Sequence, residues 1–291
     1  MYIVSIFSKQ DSRNENSEKS GKLTVKNVTK IYDPLGVNVL AVDNCSLEIN
    51  PGEFVAIVGP SGCGKTTLLN MIAGFDTITK GEIHLDGKKI GSPTTKLKPG
   101  PDRVVVFQHG ALFEWKTLLD NVTFGPIMQG LMSKTDAEKK GMDLLKLMGL
   151  EEFAKTFPLG VSSGMQRRVE IVRALMTNPK IILLDEPFRA MDTLTKTIVH
   201  QYVLKIQEIT KTSIFFITHD LDEAIFLSDR VFVMTTRPGR FKTSVEISLP
   251  RPRTTKIVSS KEFIELKNSL FDLVHDEAIK AFERGERELA R

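Results

Sequence analysis

A glycine-rich stretch at residues 59–67 narrows the choice of folds for this chain to very few. It follows the apolar run 54–58 and leads into the apolar segment 68–73, so it connects a predicted buried strand to a predicted helix. This order is typical of a phosphate-binding loop, because glycines let backbone N–H groups turn inward and the helix N-terminus attracts anions. Lys65 can reach the terminal phosphates of a nucleotide, and Thr66 can offer its hydroxyl to Mg²⁺. An ordinary strand-to-helix turn requires neither side chain. The sequence therefore predicts a nucleotide site formed by Gly59, Pro60, Ser61, Gly62, Cys63, Gly64, Lys65, Thr66 and Thr67.

Composition and charge exclude several classes of protein. With 291 residues, 41% of them apolar, the chain can form one large or two modest domains with a sizeable core. Its 40 basic and 36 acidic residues are scattered, so the net charge of +4 does not indicate a nucleic-acid binder, although it is compatible with contact to an anionic membrane surface. The two cysteines are Cys45 and Cys63, and a disulfide at Cys63 would disrupt the loop, so a reducing cytosol fits best. No uncharged apolar run approaches the ~20 residues that cross a bilayer, so if the protein works at a membrane, another chain spans it.

The first 22 residues are predicted to be a flexible lead-in. Residues 1–7 are apolar but lack the basic start and the cleavage site of a secretory signal. Residues 8–22 are rich in Ser, Asn, Lys and Glu and cannot bury enough apolar surface to offset chain entropy. Ordered structure is therefore expected to begin near Leu23.

Short strands are predicted on both sides of the glycine-rich loop. They comprise residues 23–32, 37–42, 45–49 and 81–85, the last leading into a hairpin turn at Asp86 and Gly87. Tyr32 ends the first of these strands and can stack its ring on a nucleotide base. It can equally pack on its own sheet, and spacing alone favours neither interpretation.

From Glu114 onward the pattern becomes helical. Residues 118–157 contain few β-branched side chains and repeat apolar residues at helical spacing, which indicates an inserted helical subdomain over about residues 114–178. A further helix opens near Val161, where Ser163 and Gln166 stand at the spacing of a capping box.

A strand buried on both faces is predicted at residues 181–184, and it delivers Asp185 and Glu186 at its carboxyl end. Open α/β sheets bind their ligands at that end. One carboxylate suits Mg²⁺, and the other can orient or deprotonate an attacking water. Two unpaired acids would be costly to bury for structure alone, so a functional role is favoured.

Two more apolar runs end in polar side chains. Residues 103–107 lead to Gln108, which can reach a metal or a water, although most glutamines in this position bond nearby backbone. Residues 213–218 lead to His219, and its place at a strand end favours function over the packed role that a lone histidine usually has.

Together these segments resemble the nucleotide-binding subunit of ATP-binding-cassette (ABC) transporters over roughly residues 23–250. The resemblance is specific because separate motifs occur in family order. Tyr32 falls where the family stacks adenine, residues 59–67 look like the Walker A loop, Gln108 looks like the Q-loop and Ser162 to Gln166 look like the signature. Residues 181–186 look like Walker B, Ala190, Met191 and Asp192 look like the D-loop, and His219 looks like the switch histidine.

The resemblance implies an α/β fold, namely a P-loop NTPase (RecA-like) core with an antiparallel β subdomain and an inserted α-helical subdomain. Residues 251–291 would form a C-terminal helical extension. The resemblance also implies a head-to-tail dimer, in which each ATP lies between the Walker A loop of one copy and the signature of the other. The residues that contact the nucleotide would then also include Ser162, Ser163, Gly164, Gln166 and Asp192.

The resemblance further assigns roles within one copy. Lys65 would hold the β- and γ-phosphates, and Glu186 would orient the attacking water. His219 would bind the γ-phosphate and stabilise its developing charge. Mg²⁺ would be coordinated by Thr66, Gln108 and Asp185.

Two positions depart from the family pattern. The signature usually reads Leu-Ser-Gly-Gly, whereas this chain has Val161, Ser162, Ser163 and Gly164. Arg189 places a long cation before the D-loop, where the family usually has a small residue. Both departures bear on turnover rather than on ATP binding.

Residues 112–115, 228–230 and 237–240 resemble the ATPases of nitrate, sulfonate and taurine importers. This implies a peripheral protein at the cytoplasmic face of the cell membrane. Its partners would be a second ATPase subunit, membrane permease subunits and, indirectly, a periplasmic or extracellular solute-binding protein, with no nucleic acid. The helical subdomain near Trp115 would receive a coupling helix of the permease.

The alternative is a soluble cassette ATPase acting on DNA or the ribosome. Such proteins usually carry a long coiled-coil insertion or a second cassette, and neither is visible here. A metabolic P-loop kinase leaves the signature and His219 unexplained.

Beyond Pro250 the sequence predicts one more helix. Ser259 and Glu262 stand at capping-box spacing, and an apolar face follows at Phe263, Leu266, Leu270, Leu273 and Val274. An amphipathic helix docked on the domain is favoured over a regulatory or dimer-bracing helix.

Overall fold

The computed structural model describes residues 20–189 and 191–284, so most of the predicted lead-in and Ala190 of the predicted D-loop lie outside the described residues. Ten strands form two sheets in this part of the chain. The strands are β1 (Leu23–Tyr32), β2 (Val39–Ile49), β3 (Phe54–Val58), β4 (Lys80–Leu85), β5 (Lys88–Gly91), β6 (Arg103–Val106), β7 (Ile181–Asp185), β8 (Ser213–Ile217), β9 (Arg230–Met234) and β10 (Phe241–Glu246). The α-helices are α1 (Lys65–Ala73), α2 (Leu118–Met128), α3 (Lys134–Leu147), α4 (Ser163–Met176), α5 (Thr193–Thr210), α6 (Leu221–Leu227) and α7 (Lys261–Glu283).

The larger sheet positions the site. Its strand order is β10-β9-β3-β8-β7-β6, and all neighbours run parallel except β10, which is antiparallel to β9. The carboxyl ends of β3, β6, β7 and β8 therefore meet at one edge, which is where the predicted site residues follow. The smaller sheet, β2-β1-β4-β5, is antiparallel, in agreement with the predicted antiparallel β subdomain.

Strand β3 is buried on both faces and divides the core. Phe54, Ala56 and Val58 pack with the helices of one side, whereas Val55 and Ile57 pack with α1 and the antiparallel sheet. This double burial is why the run 54–58 is continuously apolar rather than alternating.

The predicted strands 37–42 and 45–49 are a single strand, β2, so their separation was wrong. Asn44 in β2 and Asn27 in β1 both have positive φ, at 51° and 48°. The β1–β2 pairing shifts register at several points, and such irregularities let the ladder continue where the alternation is interrupted. A bulge therefore replaces the predicted break.

Helices α2, α3 and α4 pack on one another in the region predicted to be helical. The predicted capping box at Ser163 and Gln166 is wrong, because Ser162 is the N-cap of α4 and its Oγ accepts from the Met165 N–H at 3.3 Å. The Gln166 amide instead donates to the Pro158 carbonyl at 2.8 Å. Two adjacent serines made the cap ambiguous by one residue.

The C-terminal helix α7 packs its predicted apolar face on the domain. Phe263 and Leu270 are buried, and Leu266, Leu273 and Val274 pack beside them. The predicted cap is again misplaced by one residue, this time too early: Ser260, not Ser259, accepts from the Phe263 N–H at 3.2 Å. Among the described residues, no helix is both long enough and apolar enough to cross a membrane.

Candidate nucleotide-binding site

The glycine-rich loop lies between β3 and α1, as predicted. Helix α1 begins at Lys65, so its first backbone N–H groups point out of the helix toward the loop. Gly64 has φ 101°, and a Cβ there would approach the Ala41 carbonyl to 2.9 Å, so the turn into the helix requires glycine. Lys65 is buried inside the loop, where its Nζ donates to the carbonyls of Gly59 and Pro60 at 2.8 Å each. The glycine-rich loop therefore holds the Lys65 ammonium among backbone groups, within reach of an anion bound at the loop.

Cys63 lies in the loop as a packing residue. Its side chain is buried, and burial raises the pKa of its thiol despite the neighbouring Lys65. Gly239 packs directly behind it, since a Cβ at Gly239 would lie 2.0 Å from the Cys63 carbonyl oxygen. Backbone hydrogen bonds join Gly239 to Ala41 and Asp43. Gly239 thus supports the loop from a position 176 residues beyond Cys63 (239 − 63), a role that the local sequence could not indicate.

A hydroxyl and a carboxylate meet where α1 faces the end of β7. Thr66 Oγ1 donates to Asp185 Oδ2 at 3.1 Å, and Asp185 is buried, which raises the pKa of its carboxyl. A cation bound beside this carboxylate would favour its charged form. The described residues contain no group of three or more His, Cys, Asp or Glu side chains that could hold a metal by themselves. This donor set fits Mg²⁺, which prefers oxygen ligands and completes its shell with phosphate oxygens and water.

Glu186 is the centre of a second cluster. Its Oε2 atom lies 3.1 Å from Gln108 Nε2, 3.4 Å from His219 Nδ1 and 3.3 Å from Arg189 Nη1. The backbone of Glu186 has φ 45°, an uncommon conformation for a residue with a Cβ. The structure therefore brings together the predicted residues Gln108, Glu186 and His219. In this arrangement the Gln108 amide faces Glu186 rather than the Thr66–Asp185 pair, so its predicted metal role stays a prediction.

Tyr32 is held at the edge of the site by two charged side chains. Its hydroxyl donates to Asp76 Oδ2 at 2.5 Å, and Lys30 Nζ lies 4.7 Å from the centre of its ring. Burial and the hydrogen bond to Asp76 raise the pKa of Tyr32 to about 12. The side chain nevertheless remains 36% exposed. An anchored, half-exposed ring is suited to stacking, which favours the first of the two interpretations of Tyr32.

Substitution of Tyr32 should separate base stacking from phosphate binding. We expect Tyr32→Ala to weaken ATP binding by about 5- to 150-fold, because stacking of one base on an aromatic ring contributes roughly 1–3 kcal/mol. Binding of tripolyphosphate, which has no base, should not change. Tyr32→Phe keeps the ring and should stay within about 3-fold of the parent. Calorimetric titration with both ligands checks this, and an equal loss for ATP and tripolyphosphate would contradict the stacking role.

The predicted signature residues lie at the start of α4. Ser162 and Ser163 are exposed, and Gly164 and Gln166 are half-buried. Among the described residues, no hydrogen bond or ion pair joins this segment to the loop at 59–67 of the same chain. Asp192 is the N-cap of α5, where its Oδ1 accepts from the Thr195 N–H at 3.0 Å, and this bonding lowers the pKa of Asp192.

Arg167 and Glu170 link α4 to the segment that carries Gln108, and sequence reasoning missed both. Arg167 is buried and donates to the carbonyls of Phe107 and Gln108. Glu170 pairs with Arg167 at 2.6 Å and accepts from the Ala111 N–H at 2.6 Å. The available signal was an Arg and a Glu three residues apart in the predicted helix, and their partners lie some 60 residues away.

Comparison of this chain with known proteins finds similar sequences in one protein family. The family model described as "ABC transporter" matches residues 42–189. An uncharacterized ABC transporter ATP-binding protein of Methanocaldococcus jannaschii is 44% identical over 94% of this chain and 98% of its own length. A nitrate import ATP-binding protein of Synechocystis is 39% identical over 87% of this chain and 94% of its own. A taurine import ATP-binding protein of Rhizobium johnstonii is 41% identical over 82% of this chain and 91% of its own.

A solved structure gives the same result for the fold. It is a dimeric ATP-binding cassette in a post-hydrolysis state, bound to ADP and phosphate. Its TM-score with this chain is 0.70 at 34% identity, and the match covers 78% of this chain and all of that one.

Proposed function

Because this chain belongs to the ABC transporter family of ATP-binding proteins, we propose that it hydrolyses ATP to ADP and phosphate to power the import of a small solute through a separate membrane permease. The observation that carries the proposal is the meeting of the glycine-rich loop, the Thr66–Asp185 pair and the Glu186 cluster at one sheet edge. Each of these three parts serves a different stage of hydrolysis.

The reaction forms a bond from a water oxygen to the γ-phosphorus and breaks the bond to the oxygen that bridges the β- and γ-phosphates. Lys65 and the N–H groups at the start of α1 hold the phosphates in place. Glu186 accepts a hydrogen bond from the attacking water, orients it and takes its proton as the new bond forms, and His219 binds the γ-phosphate. Gln108, whose amide donates to Glu186, would contact the same water.

Thr66 and Asp185 are the residues that would hold Mg²⁺, with Gln108 as a further ligand. Mg²⁺ held there would neutralise part of the negative charge of the phosphates. The hydrogen bond between Thr66 and Asp185 keeps both oxygens beside the loop.

Two copies would bind ATP head to tail, with the signature of one copy on the nucleotide of the other. Support comes from the exposure of Ser162 and Ser163, which leaves the start of α4 accessible, and from the dimeric state of the similar cassette. In this arrangement Asp192 and the residues 162–166 contact the partner's site.

The Ser163 departure is predicted to weaken this dimer. Ser162 provides the cap of α4, so Ser163→Gly does not remove the cap. On this hypothesis the substitution takes away a Cβ and a hydroxyl that would crowd the partner's γ-phosphate, whereas a hydroxyl that turns aside or donates to the phosphate would leave activity ordinary. We expect more ATP-dependent dimer and a roughly 2- to 5-fold faster ATPase, with ATP affinity of the monomer unchanged. Lys134→Gly, which places glycine at the first residue of α3 and leaves its cap Ser133 in place, is the matched control for general helix effects. Sedimentation with ATP measures the dimer, and equal or lower dimerisation in Ser163→Gly would contradict the prediction.

The transported solute belongs, on this proposal, to the class of nitrate, sulfonates and taurine, which share an anionic group with several oxygens. Support comes from the relatives that are named for nitrate and taurine import and from residues 112–115 and 237–240. The chain would lie at the cytoplasmic face of the membrane, with permease subunits docked near Trp115, whose side chain is 73% exposed. A solute-binding protein would act on the outer side. A soluble cassette acting on DNA or the ribosome is not favoured, because these relatives are named as importers.

Phosphate release tests the enzymatic part of the proposal. The full chain should release phosphate from ATP with Mg²⁺ present and not with EDTA, because the Thr66–Asp185 pair requires the ion to engage the phosphates. Release that is independent of Mg²⁺ would overturn the assigned site.

The Arg167–Glu170 link predicts a second result: Arg167→Met should slow phosphate release while leaving ATP binding intact.

A further inference from the structure

The carboxylate proposed to orient water is also held by a cation. Arg189 Nη1 lies 3.3 Å from Glu186 Oε2, the same oxygen that Gln108 and His219 approach. The Glu186 side chain is largely buried at 15% exposure, whereas the Arg189 side chain is 63% exposed. The charge on Glu186 is therefore met by a guanidinium that reaches in from solvent.

The contact forms locally. Residues 186 and 189 are three apart, and the Arg189 N–H donates to the Glu186 carbonyl at 3.3 Å, which closes a turn directly after β7. The positive φ of Glu186 belongs to the same turn. No other element has to move for the two side chains to meet, so the pair can form in one copy of the chain without a partner.

The contact competes with water. A water that binds to Glu186 needs a carboxylate lone pair, and Oε2, which has two, already faces three donors. The guanidinium of Arg189 adds to this crowding and stabilises the negative charge, so the carboxylate attracts a water proton less strongly at either oxygen. Gln108 and His219 can exchange their bonds for contacts to water or phosphate. Arginine remains charged and has no acceptor atom, so Arg189 can only compete for the acceptor.

We infer that Arg189 is a positioning residue that restrains Glu186 in the isolated chain and so slows hydrolysis. This rests on the proposed function of Glu186. The exposure of Arg189 limits the restraint, because an ion pair of this kind is weakened by solvent and by salt. The restraint is thus weak enough to be released when Arg189 finds another anion or when Glu186 is drawn toward the bound water.

The test compares two substitutions. Arg189→Met removes the charge and keeps the length of the side chain, and Arg189→Lys keeps a charge. At saturating ATP and Mg²⁺ in 50 mM salt, Arg189→Met should release phosphate about 2- to 5-fold faster than the parent, the range expected of an exposed ion pair. Arg189→Lys should stay close to the parent, and the ATP affinity of all three proteins should be equal.

The dependence of the phosphate release rate on salt concentration distinguishes this restraint from a merely structural role of Arg189. In 500 mM salt the parent should approach the rate of Arg189→Met, because screening releases the pair. Lys89→Met, which removes a cation paired with Glu82 on the antiparallel sheet, should behave as the parent at both concentrations and gives the baseline effect of salt. An Arg189→Met rate at or below that of the parent in low salt would overturn the inference, as would a difference that salt does not reduce. Absence of phosphate release in the parent and every variant would instead overturn the proposed function, and the restraint with it.

Discussion

Replacing Lys65 by alanine should weaken ATP binding by at least about 30-fold. The Lys65 ammonium is enclosed by the loop, and its loss removes a charge-assisted contact to the phosphates that is worth roughly 2–5 kcal/mol. The N–H groups of the loop remain, so weak binding persists at high concentration. Calorimetric titration of ATP with Mg²⁺ measures the effect.

Two controls keep this result interpretable. Lys80→Ala removes an exposed lysine on β4 and should bind ATP as the parent does. Lys65 also donates to the carbonyls of Gly59 and Pro60, so thermal unfolding without nucleotide must show that Lys65→Ala remains folded. A folded Lys65→Ala protein with the ATP affinity of the parent would show that nucleotide binds elsewhere.

Glu186→Gln should retain ATP and lose most of its turnover. Glutamine preserves the size of the side chain but orients water poorly and cannot take a proton, and general-base catalysis typically contributes about 10²–10⁴-fold. Lys65, Thr66 and Asp185 are unchanged, so ATP affinity should stay within about 3-fold of the parent, and a dimer with ATP should accumulate.

Single-turnover hydrolysis separates this effect from product release. Glu265→Gln, an isosteric change on the exposed face of α7, is the matched control and should hydrolyse ATP normally. Glu186→Gln with an unchanged single-turnover rate would remove Glu186 from the mechanism. A variant that no longer binds ATP would point instead to a structural role in the turn after β7.

The residues that end parallel strands were predictable from the sequence. Asp185, Glu186 and His219 each follow an apolar run, and parallel strands place their carboxyl ends at one edge, so their proximity follows from fold class. The glycine-rich loop was predictable for the same reason, because strand, loop and helix are consecutive in the chain. The resemblance to a family added the roles, and the comparisons confirmed the family and the fold.

Partners distant in sequence were not predictable. The support of the loop by Gly239 and the link from Arg167 to Gln108 both join segments that local patterns treat separately. The contact of Arg189 with Glu186 is local, yet it depends on side-chain direction in a turn of unusual φ. The caps of α4 and α7 were each misplaced by one residue, because adjacent serines offer equivalent oxygens and only the backbone geometry selects between them.

The proposed association of this chain with a membrane permease can be measured directly. The full chain, carrying an affinity tag, is purified in mild detergent from the membranes of its own cells, and the protein that accompanies it is identified and quantified. We predict a multi-spanning permease in stoichiometric amount, and a complex that hydrolyses ATP faster than the isolated chain. Recovery of the tagged chain from the soluble fraction alone, together with DNA or ribosomes, would contradict the account.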